Sequence, residues 1–239
     1  MYTLERVAYA IQFLACRPAQ SILLAFGFRK AEGALFVQIC QAASPGWRIM
    51  MVLKTGAAMD AITQELKAYL DREKIRDCLA RLARGEDRRD AELISACCWP
   101  DSTSDYGVFC GTFKEYLAWV VPGSPAIALT QHMLAQSVID LKGDSALAET
   151  QVTSYHRMNM GTQERDIVIG GRYLDRLEKR CGEWRIAKRM MLYDWFQDLG
   201  ASVDLSTGVL GMPFSAAHFA GRTLGDYSET FFGKMAAAR

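Results

Sequence analysis

Apolar side chains recur with helical spacing between residues 61 and 85. Asp60 stands directly before this stretch and is a residue type that caps helix N-termini. Gly85 stands at its end and is a type that terminates helices. The pattern therefore predicts a first helix from Ala61 to Gly85, with an apolar face formed by Leu66, Tyr69, Leu70, Ile75, Cys78, Leu79 and Leu82.

Two shorter helices are indicated by their capping residues. Asp90 precedes an apolar stretch that Pro100 would stop, because proline cannot continue a helix. Thr112 and Glu115 form the capping box T-x-x-E, which predicts a helix over "FKEYLAWVV" that closes before Pro122. The stretch "TSDYGVFCG" between these two helices predicts a short strand.

Alternation of apolar and polar residues replaces the helical period after residue 128, which predicts four antiparallel strands. Tight turns are indicated between the first and second strands and between the third and fourth, and the pair Gly170 and Gly171 predicts a bulge or sharp bend. The strands are predicted at 129–141, 146–158, 166–180 and 183–195.

Strict alternation also predicts which side chains share a face of a strand. His132, Leu134, Gln136 and Val138 are expected on one face of the first long strand, and Trp184, Ile186, Lys188 and Met190 on one face of the last.

Three helices followed by a long meander predict an α+β fold, in which a strongly bent antiparallel sheet wraps around the helices and encloses an apolar cavity. The predicted body of the protein is residues 59–196. Residues 197–239 contain Gly, Ser and scattered aromatic side chains and are predicted to form an irregular tail.

The first 58 residues differ from the rest in charge and pattern. They carry six basic and two acidic side chains, a net charge of +4, and their apolar runs show neither clear helix caps nor strand alternation. We expect residues 1–58 to be an extension that is poorly ordered or not native, with the working protein starting near Met59.

Composition narrows the class of protein. The 239-residue chain is 50% hydrophobic and has a net charge of +1, so nothing indicates a nucleic-acid partner. No apolar run is long enough to span a bilayer. Seven cysteines without a C-x-x-C pair are typical of free thiols in a reducing compartment, which predicts a cytoplasmic protein.

Four side chains are candidates for a site in the predicted cavity. Asp87 lies where the first two helix patterns meet, Tyr106 lies in the short strand, and His132 and His156 lie on adjacent strands. Each also has an ordinary interpretation. Asp87 is then a cap or an arginine partner, Tyr106 a core tyrosine, His132 a buried histidine bonded to a carbonyl, and His156 a surface strand end. Taken together, an acid, a histidine and a tyrosine around one cavity favour a functional site.

Other chemistry is not indicated. The chain has no G-x-x-x-x-G-K-[ST] or G-x-G-x-x-G motif, and "GGRYLD" sits within a strand pattern, so a phosphate-binding loop is not expected. Three histidines without H-x-x-x-H or cysteine spacing argue against a zinc site. We therefore predict neither a cofactor nor a metal.

Three stretches resemble the SnoaL-like branch of the nuclear transport factor 2-like superfamily: "IRDCLARLARGEDRRDAELISACCWPDSTSDYG", "TQHML" and "ETQVTSYHR" with the "GGRYLDRLEKRCGEWRIAKR" that follows. Members include scytalone dehydratase and the γ-hexachlorocyclohexane dehydrochlorinase. The resemblance implies a cone-shaped α+β barrel and an Asp–His pair at Asp87 and His132, with Tyr106 and His156 at matching supporting positions. Scytalone dehydratase has a tyrosine before the aspartate, whereas this chain has Glu86.

The resemblance implies a cofactor-independent lyase, a dehydratase or dehydrohalogenase, that acts on a small hydrophobic cyclic substrate. His132 would remove a proton from the substrate, and Asp87 would orient the His132 ring. Tyr106 would stabilise a developing enolate, and His156 would protonate a departing hydroxyl. Arg189 would bind an anionic or carbonyl group if it faces inward. Its ordinary interpretation is a solvated strand arginine.

Other functions remain open on the same fold. A non-catalytic ligand-binding or oligomerisation module, similar to the small subunit of ring-hydroxylating dioxygenases, is the main alternative, and an isomerase or cyclase is the next. The family also implies a homodimer or homotrimer.

Overall fold

The computed structural model describes residues 24–31, 34–41, 50–53, 55–205, 208–214, 218, 226–228 and 230–232. The chain divides into two compact units, residues 1–64 and 65–239. The first unit contains a three-stranded antiparallel sheet that the sequence pattern did not predict, because apolar and polar residues do not alternate regularly along its strands. These strands are β1 (Leu24–Ala31), β2 (Ala34–Gln41) and β3 (Met50–Leu53).

The first helix, α1 (Thr55–Arg88), is longer than predicted at both ends. Asp60 lies inside it and is not its N-cap. Gly85 does not end it either: a Cβ at Gly85 would lie 2.9 Å from Cγ1 of Ile94, so glycine here permits close packing of α1 against the next helix. Asp87 is consequently a residue of the last helical turn.

The two short helices begin where their caps predicted. They are α2 (Ala91–Cys97), where the Asp90 side chain accepts a hydrogen bond from the Leu93 amide at 3.0 Å, and α3 (Phe113–Val120). The capping box of Thr112 and Glu115 is present at the start of α3. Pro100 does not stop α2, because the helix gives way to a strand already at Cys98.

Six strands form the second sheet, in the order β5-β4-β9-β8-β7-β6. The sheet is mixed, because β4 and β9 are parallel while the other pairs are antiparallel, and it is curled but not closed. The α+β class is confirmed. The predicted single strand over 103–111 is wrong, since a turn containing Tyr106 separates two strands. The six are β4 (Cys98–Asp105), β5 (Cys110–Thr112), β6 (Ile127–Lys142), β7 (Ser145–Asn159), β8 (Glu164–Arg180) and β9 (Glu183–Ala201).

A bulge in β6 corrects the predicted face of that strand. The register against β7 shifts between Leu134 and Ser137, so the inner face continues through Ser137 and the buried Ile139. Gln136 and Val138 are turned outward by this single extra residue. His132 and Leu134 keep the shared face that alternation predicted.

A second bulge changes the last strand. The pairing of β8 with β9 shifts between Arg176 and Leu177, opposite Ala187. Trp184 and Ile186 are buried as predicted, but Lys188 points outward and Arg189 is turned into the core. The ordinary interpretation of Arg189 as a solvated strand residue is therefore wrong.

The paired glycines of β8 form the predicted irregularity, with a register shift between Gly170 and Gly171. A Cβ at Gly171 would lie 2.1 Å from the carbonyl oxygen of Leu192, and one at Gly170 would lie 2.0 Å from the Trp195 ring. Both positions therefore require glycine, because residues of the neighbouring strand β9 lie too close to leave space for a side chain.

The core lies between the helices and the concave face of the sheet. Its fully buried aliphatic side chains come from α1, α2, β8 and β9 and include Ile75, Leu79, Leu82, Ile94, Leu177 and Ile186. In the part of the chain that the structure describes, no helix is both long and apolar enough to cross a membrane. β9 extends to Ala201, into the stretch predicted to be an irregular tail.

Candidate active site

A cavity of about 330 Å³ lies within the second unit, and its wall is largely aromatic and aliphatic. The apolar part includes Tyr116, Trp119, Ile169, Tyr173 and Phe196. A few polar side chains from α1, the α1–α2 connection, β6 and β7 interrupt it. They include Glu86, Arg89, Thr130, His132, Ser154 and His156. An apolar pocket with a small number of convergent polar groups is the usual form of a small-molecule site.

Asp87 and His132 form a close pair, in which His132 lines this cavity and Asp87 is not one of its lining residues. Oδ1 of Asp87 lies 2.7 Å from Nδ1 of the His132 ring, and Oδ2 accepts a hydrogen bond from the His132 backbone amide at 2.9 Å. One carboxylate therefore holds both the ring and the main chain of the histidine. When the imidazole is neutral, its proton belongs on Nδ1, facing the carboxylate, and Nε2 carries the lone pair.

The surroundings of His132 favour its charged form. Burial of the imidazole by itself lowers the pKa, but the hydrogen bond that the ring donates to Asp87 and the charge of Glu86 outweigh burial, so the pKa is raised above its ordinary value. His132 is thereby a stronger base than a free imidazole, as proton abstraction from carbon requires.

His156 faces His132 across the two strands. The ring centroids are 6.1 Å apart in an edge-on arrangement, and His156 pairs in register with Thr130. Burial, and then the charge of His132, lower the pKa of His156 to about 4. The pKa values of the two histidines are thus shifted in opposite directions, and His156 is neutral near pH 7.

Acid sensitivity of the fold follows from His156. Its pKa is about 4 in the folded protein against an ordinary value of 6.5, so the unfolded chain binds a proton first as the pH falls. The free energy of unfolding should therefore decrease between pH 6.5 and about 4. We expect His156→Asn to lose less stability than the parent between urea titrations at pH 7 and pH 4.5. Equal losses in both proteins would contradict this assignment.

Tyr106 lies at the cavity, but its hydroxyl is engaged by a residue that sequence reasoning did not select. It donates to Oε1 of Glu86 at 3.1 Å, and the Tyr116 hydroxyl donates to the same oxygen. Burial and the charge of Glu86 raise the pKa of both tyrosines well above their usual value. In this arrangement the single hydroxyl proton of Tyr106 points to Glu86 rather than to a substrate.

A sequence signal for Glu86 existed. Ile75, Leu79 and Leu82 form a buried stripe at intervals of four and three residues, and Glu86 follows four residues later. The mistaken helix end at Gly85 removed Glu86 from that stripe. Once α1 extends to Arg88, Glu86 belongs to its buried face, where it is 6% exposed.

Arg189 faces inward, but the structure does not place it on the cavity wall. Its Nε and Nη2 atoms donate to the two carboxylate oxygens of Asp175 at 2.8 and 2.9 Å. The guanidinium also lies over the Tyr173 ring, 4.0 Å from its centroid. Arg189 therefore supports the wall from behind, with its guanidinium bonded to Asp175 and packed on Tyr173.

The arginine that lines the cavity is Arg89, which sequence reasoning did not select. It adopts a left-handed backbone conformation with φ of 55°, and its Nη1 donates to the Val120 carbonyl at 2.7 Å. A Cβ at Gly123 would lie 1.5 Å from that nitrogen, so a residue without a side chain is needed beside the guanidinium. Its neighbour Arg88 points elsewhere and pairs with Asp226 at 2.7 Å.

Helices packed on a curled sheet, with an acid–base pair beside the cavity between them, indicate a class of proteins rather than one particular protein. The chain belongs to the SnoaL-like domain family, whose model matches residues 67–190, just over half of the 239 residues. This confirms the resemblance that the sequence stretches indicated. No protein with a curated description matches the chain in sequence.

Solved structures with the same fold include two hexachlorocyclohexane dehydrochlorinases. The type 2 enzyme is 19% identical with a TM-score of 0.53, covering 65% of this chain and 99% of its own. The type 3 enzyme from Novosphingobium barchaimii is 19% identical with a TM-score of 0.52, covering 63% and 98%. A protein from Kribbella flavida is 18% identical with a TM-score of 0.51, covering 54% and 95%. At these identities the similarity shows the fold alone.

Proposed function

We propose that this protein is a cofactor-independent lyase, a dehydratase or dehydrohalogenase, in which Asp87 and His132 remove a proton from a small cyclic substrate. The observation that carries the proposal is the 2.7 Å contact between the Asp87 carboxylate and Nδ1 of His132, a histidine that lines an apolar cavity. The dehydrochlorinases that share the fold, by their names, catalyse a reaction of this kind.

The first step uses Nε2 of His132 as the base. It takes a proton from a carbon of the substrate, the C–H bonding electrons form the new double bond, and the bond to the hydroxyl or halide on the neighbouring carbon breaks. Asp87 stabilises the imidazolium because its carboxylate faces Nδ1–H. When the leaving group is a hydroxyl, the imidazolium returns the proton to it, water departs, and His132 is neutral again. When it is a halide, the halide anion departs with the bonding electrons and the imidazolium releases its proton to water.

The other polar side chains position the substrate. His156 is neutral near pH 7, so in this scheme it hydrogen-bonds the leaving group and is not the source of a spare proton. Arg89 supplies positive charge at the wall for a carbonyl or anionic oxygen of the substrate. Tyr106 supports a developing enolate only if its hydroxyl turns away from Glu86.

A purely binding module has less support from the geometry. Burial of a carboxylate beside an imidazole is unfavourable in free energy, and a scaffold does not need such a pair. Asp87 and His132 side chains are each only 12% exposed, and both bonds of the Asp87 carboxylate go to one histidine. A buried carboxylate that bonds a single histidine in this way is expected beside a catalytic base.

A substrate screen tests the proposal. Purified protein is incubated with a panel of one- and two-ring alcohols and halides that carry an acidic C–H beside the leaving group, and alkene products are detected by mass spectrometry. Alkene formation by the parent but not by His132→Asn is the expected result. Products with the double bond moved and no group lost would indicate an isomerase. Binding of panel members without any conversion would favour the non-catalytic module.

A further inference from the structure

Glu86 presents an asymmetric carboxylate at the cavity. Its Oε1 atom receives the hydroxyls of Tyr106 and Tyr116, and Nη1 of Arg189 lies 3.8 Å from the same oxygen. Its Oε2 atom is buried and has no hydrogen-bond partner among the residues that the structure describes. All the donors around this carboxylate are therefore on one side.

An unpaired, buried carboxylate oxygen is costly, since it has lost its hydration without replacement. Glu86 is 6% exposed and is one of the residues that line the cavity. Because Oε1 is held by the two tyrosines, Oε2 is the oxygen of this lining residue that has acceptor capacity left. The hydroxyl of Thr130, which also lines the cavity, is likewise buried without a partner within the described ranges.

We infer that Glu86 is a specificity-determining residue that accepts a hydrogen bond from a hydroxyl group of the ligand, so that the cavity selects ring alcohols over ring compounds without a donor. This inference rests on the proposed function only for the site being catalytic, and it deepens that function by favouring dehydration over loss of halide. A halide offers no proton to Oε2, whereas an alcohol does.

Selectivity of this kind is large because it has two sources. A ligand with a donor gains a charge-assisted hydrogen bond, and a ligand without one leaves the carboxylate oxygen buried and unpaired. Sites built to bond a hydroxyl therefore discriminate strongly against analogues that lack it. Sequence reasoning treated Glu86 only as a departure from a tyrosine found in a relative.

The experiment compares two ligands of nearly equal shape, 1-tetralol and 1-tetralone, by calorimetric titration. The alcohol has a donor and the ketone has only an acceptor. We expect the parent protein to bind 1-tetralol about tenfold or more tightly than 1-tetralone. Equal affinities, or tighter binding of the ketone, in the parent would overturn the inference without any variant.

Glu86→Gln makes the test specific to this side chain. The tyrosines require an acceptor, so the amide oxygen takes the place of Oε1 and the amide nitrogen, a donor, replaces Oε2. The preference should then shift towards 1-tetralone by about tenfold. Glu65→Gln, the same change at an exposed position of α1, should leave the preference as in the parent. An unchanged preference in Glu86→Gln would contradict the inference.

A further measurement covers the case in which Glu86→Gln does not fold. The carboxyl carbon of Glu86 in the parent should change its NMR shift with 1-tetralol but not with 1-tetralone, and the absence of any difference would overturn the inference. Both measurements are of binding. Alcohol preference without turnover would therefore contradict the lyase, whereas turnover of halides without alcohol preference would contradict only the role of Glu86.

Discussion

Replacing His132 with asparagine is expected to lower kcat/KM by about 10²- to 10⁴-fold on any substrate found by the screen, the usual contribution of a positioned general base. The asparagine amide retains a donor for Asp87 Oδ1 but has no basic nitrogen. The loss should therefore appear in kcat, with the stability of the fold kept close to the parent. Steady-state kinetics and a urea titration on the same preparations measure both.

A matched control separates this effect from the mere loss of a histidine. His218 is exposed and is not among the residues that line the cavity. His218→Asn should keep kcat/KM within a few-fold of the parent. If His132→Asn behaved like His218→Asn, His132 would not be the base, and the lyase proposal would lose its support.

Replacing Arg189 with methionine is expected to lower the free energy of unfolding by about 3–5 kcal/mol, the cost of breaking a buried ion pair from one side. Arg189 is 2% exposed and binds both oxygens of Asp175, which is 3% exposed. Without the guanidinium, the carboxyl of Asp175 stays buried and unpaired. Urea unfolding followed by circular dichroism measures the change.

The control uses a pair on the outer part of the same sheet. Arg172 binds Asp194 at 3.1 Å, with side chains 33% and 44% exposed. Because solvent screens such a pair, Arg172→Met should cost no more than about 1 kcal/mol. Comparable losses in the two variants would show that the Arg189–Asp175 pair is not buried as the structure has it. Changing Arg189 and Asp175 together to apolar residues should restore part of the lost stability.

Features set by local chemistry could be predicted from the sequence. The caps at Asp90 and Thr112 determine where α2 and α3 begin, because each side chain bonds an amide one turn ahead. Asp87 and His132 could be paired because the family stretches that surround them are recognisable. The stretch from Gly85 to Arg89 is rich in charged residues because each of its charged side chains points in a different direction.

Features set by packing between distant segments could not be predicted. The bulges near Leu134 and at Ala187 arise from pairing with neighbouring strands, and each reverses the face of the side chains that follow it. Alternation alone therefore gave Arg189 the wrong environment. Glycine is a residue type that often ends helices, but Gly85 instead leaves space for the Ile94 side chain. Only the folded chain shows this contact.

Glu86 and Arg89 were missed for a similar reason. A charged residue next to other charged residues is usually solvated, and the stretch "RGEDRRD" taken alone gives no sign of burial. For Glu86 the sign lies in the apolar stripe of the helix that precedes it. The exact end of α1 decides which of these side chains reach the cavity. A difference of one turn at that helix end therefore decides whether Glu86 is a solvated loop residue or a buried residue of the cavity wall.

The most direct measurement of the Asp87–His132 pair is an NMR titration of the His132 ring in the parent protein and in Asp87→Asn. The hydrogen bond that the His132 ring donates to the Asp87 carboxylate raises the pKa of His132 in the folded protein, so the loss of this carboxylate should lower that pKa. We expect the proton affinity of His132 to fall at least about tenfold, which corresponds to about 1.4 kcal/mol of coupling. If His132 titrates identically in the two proteins, the carboxylate and the imidazole are not coupled, and the proposed catalytic pair does not exist.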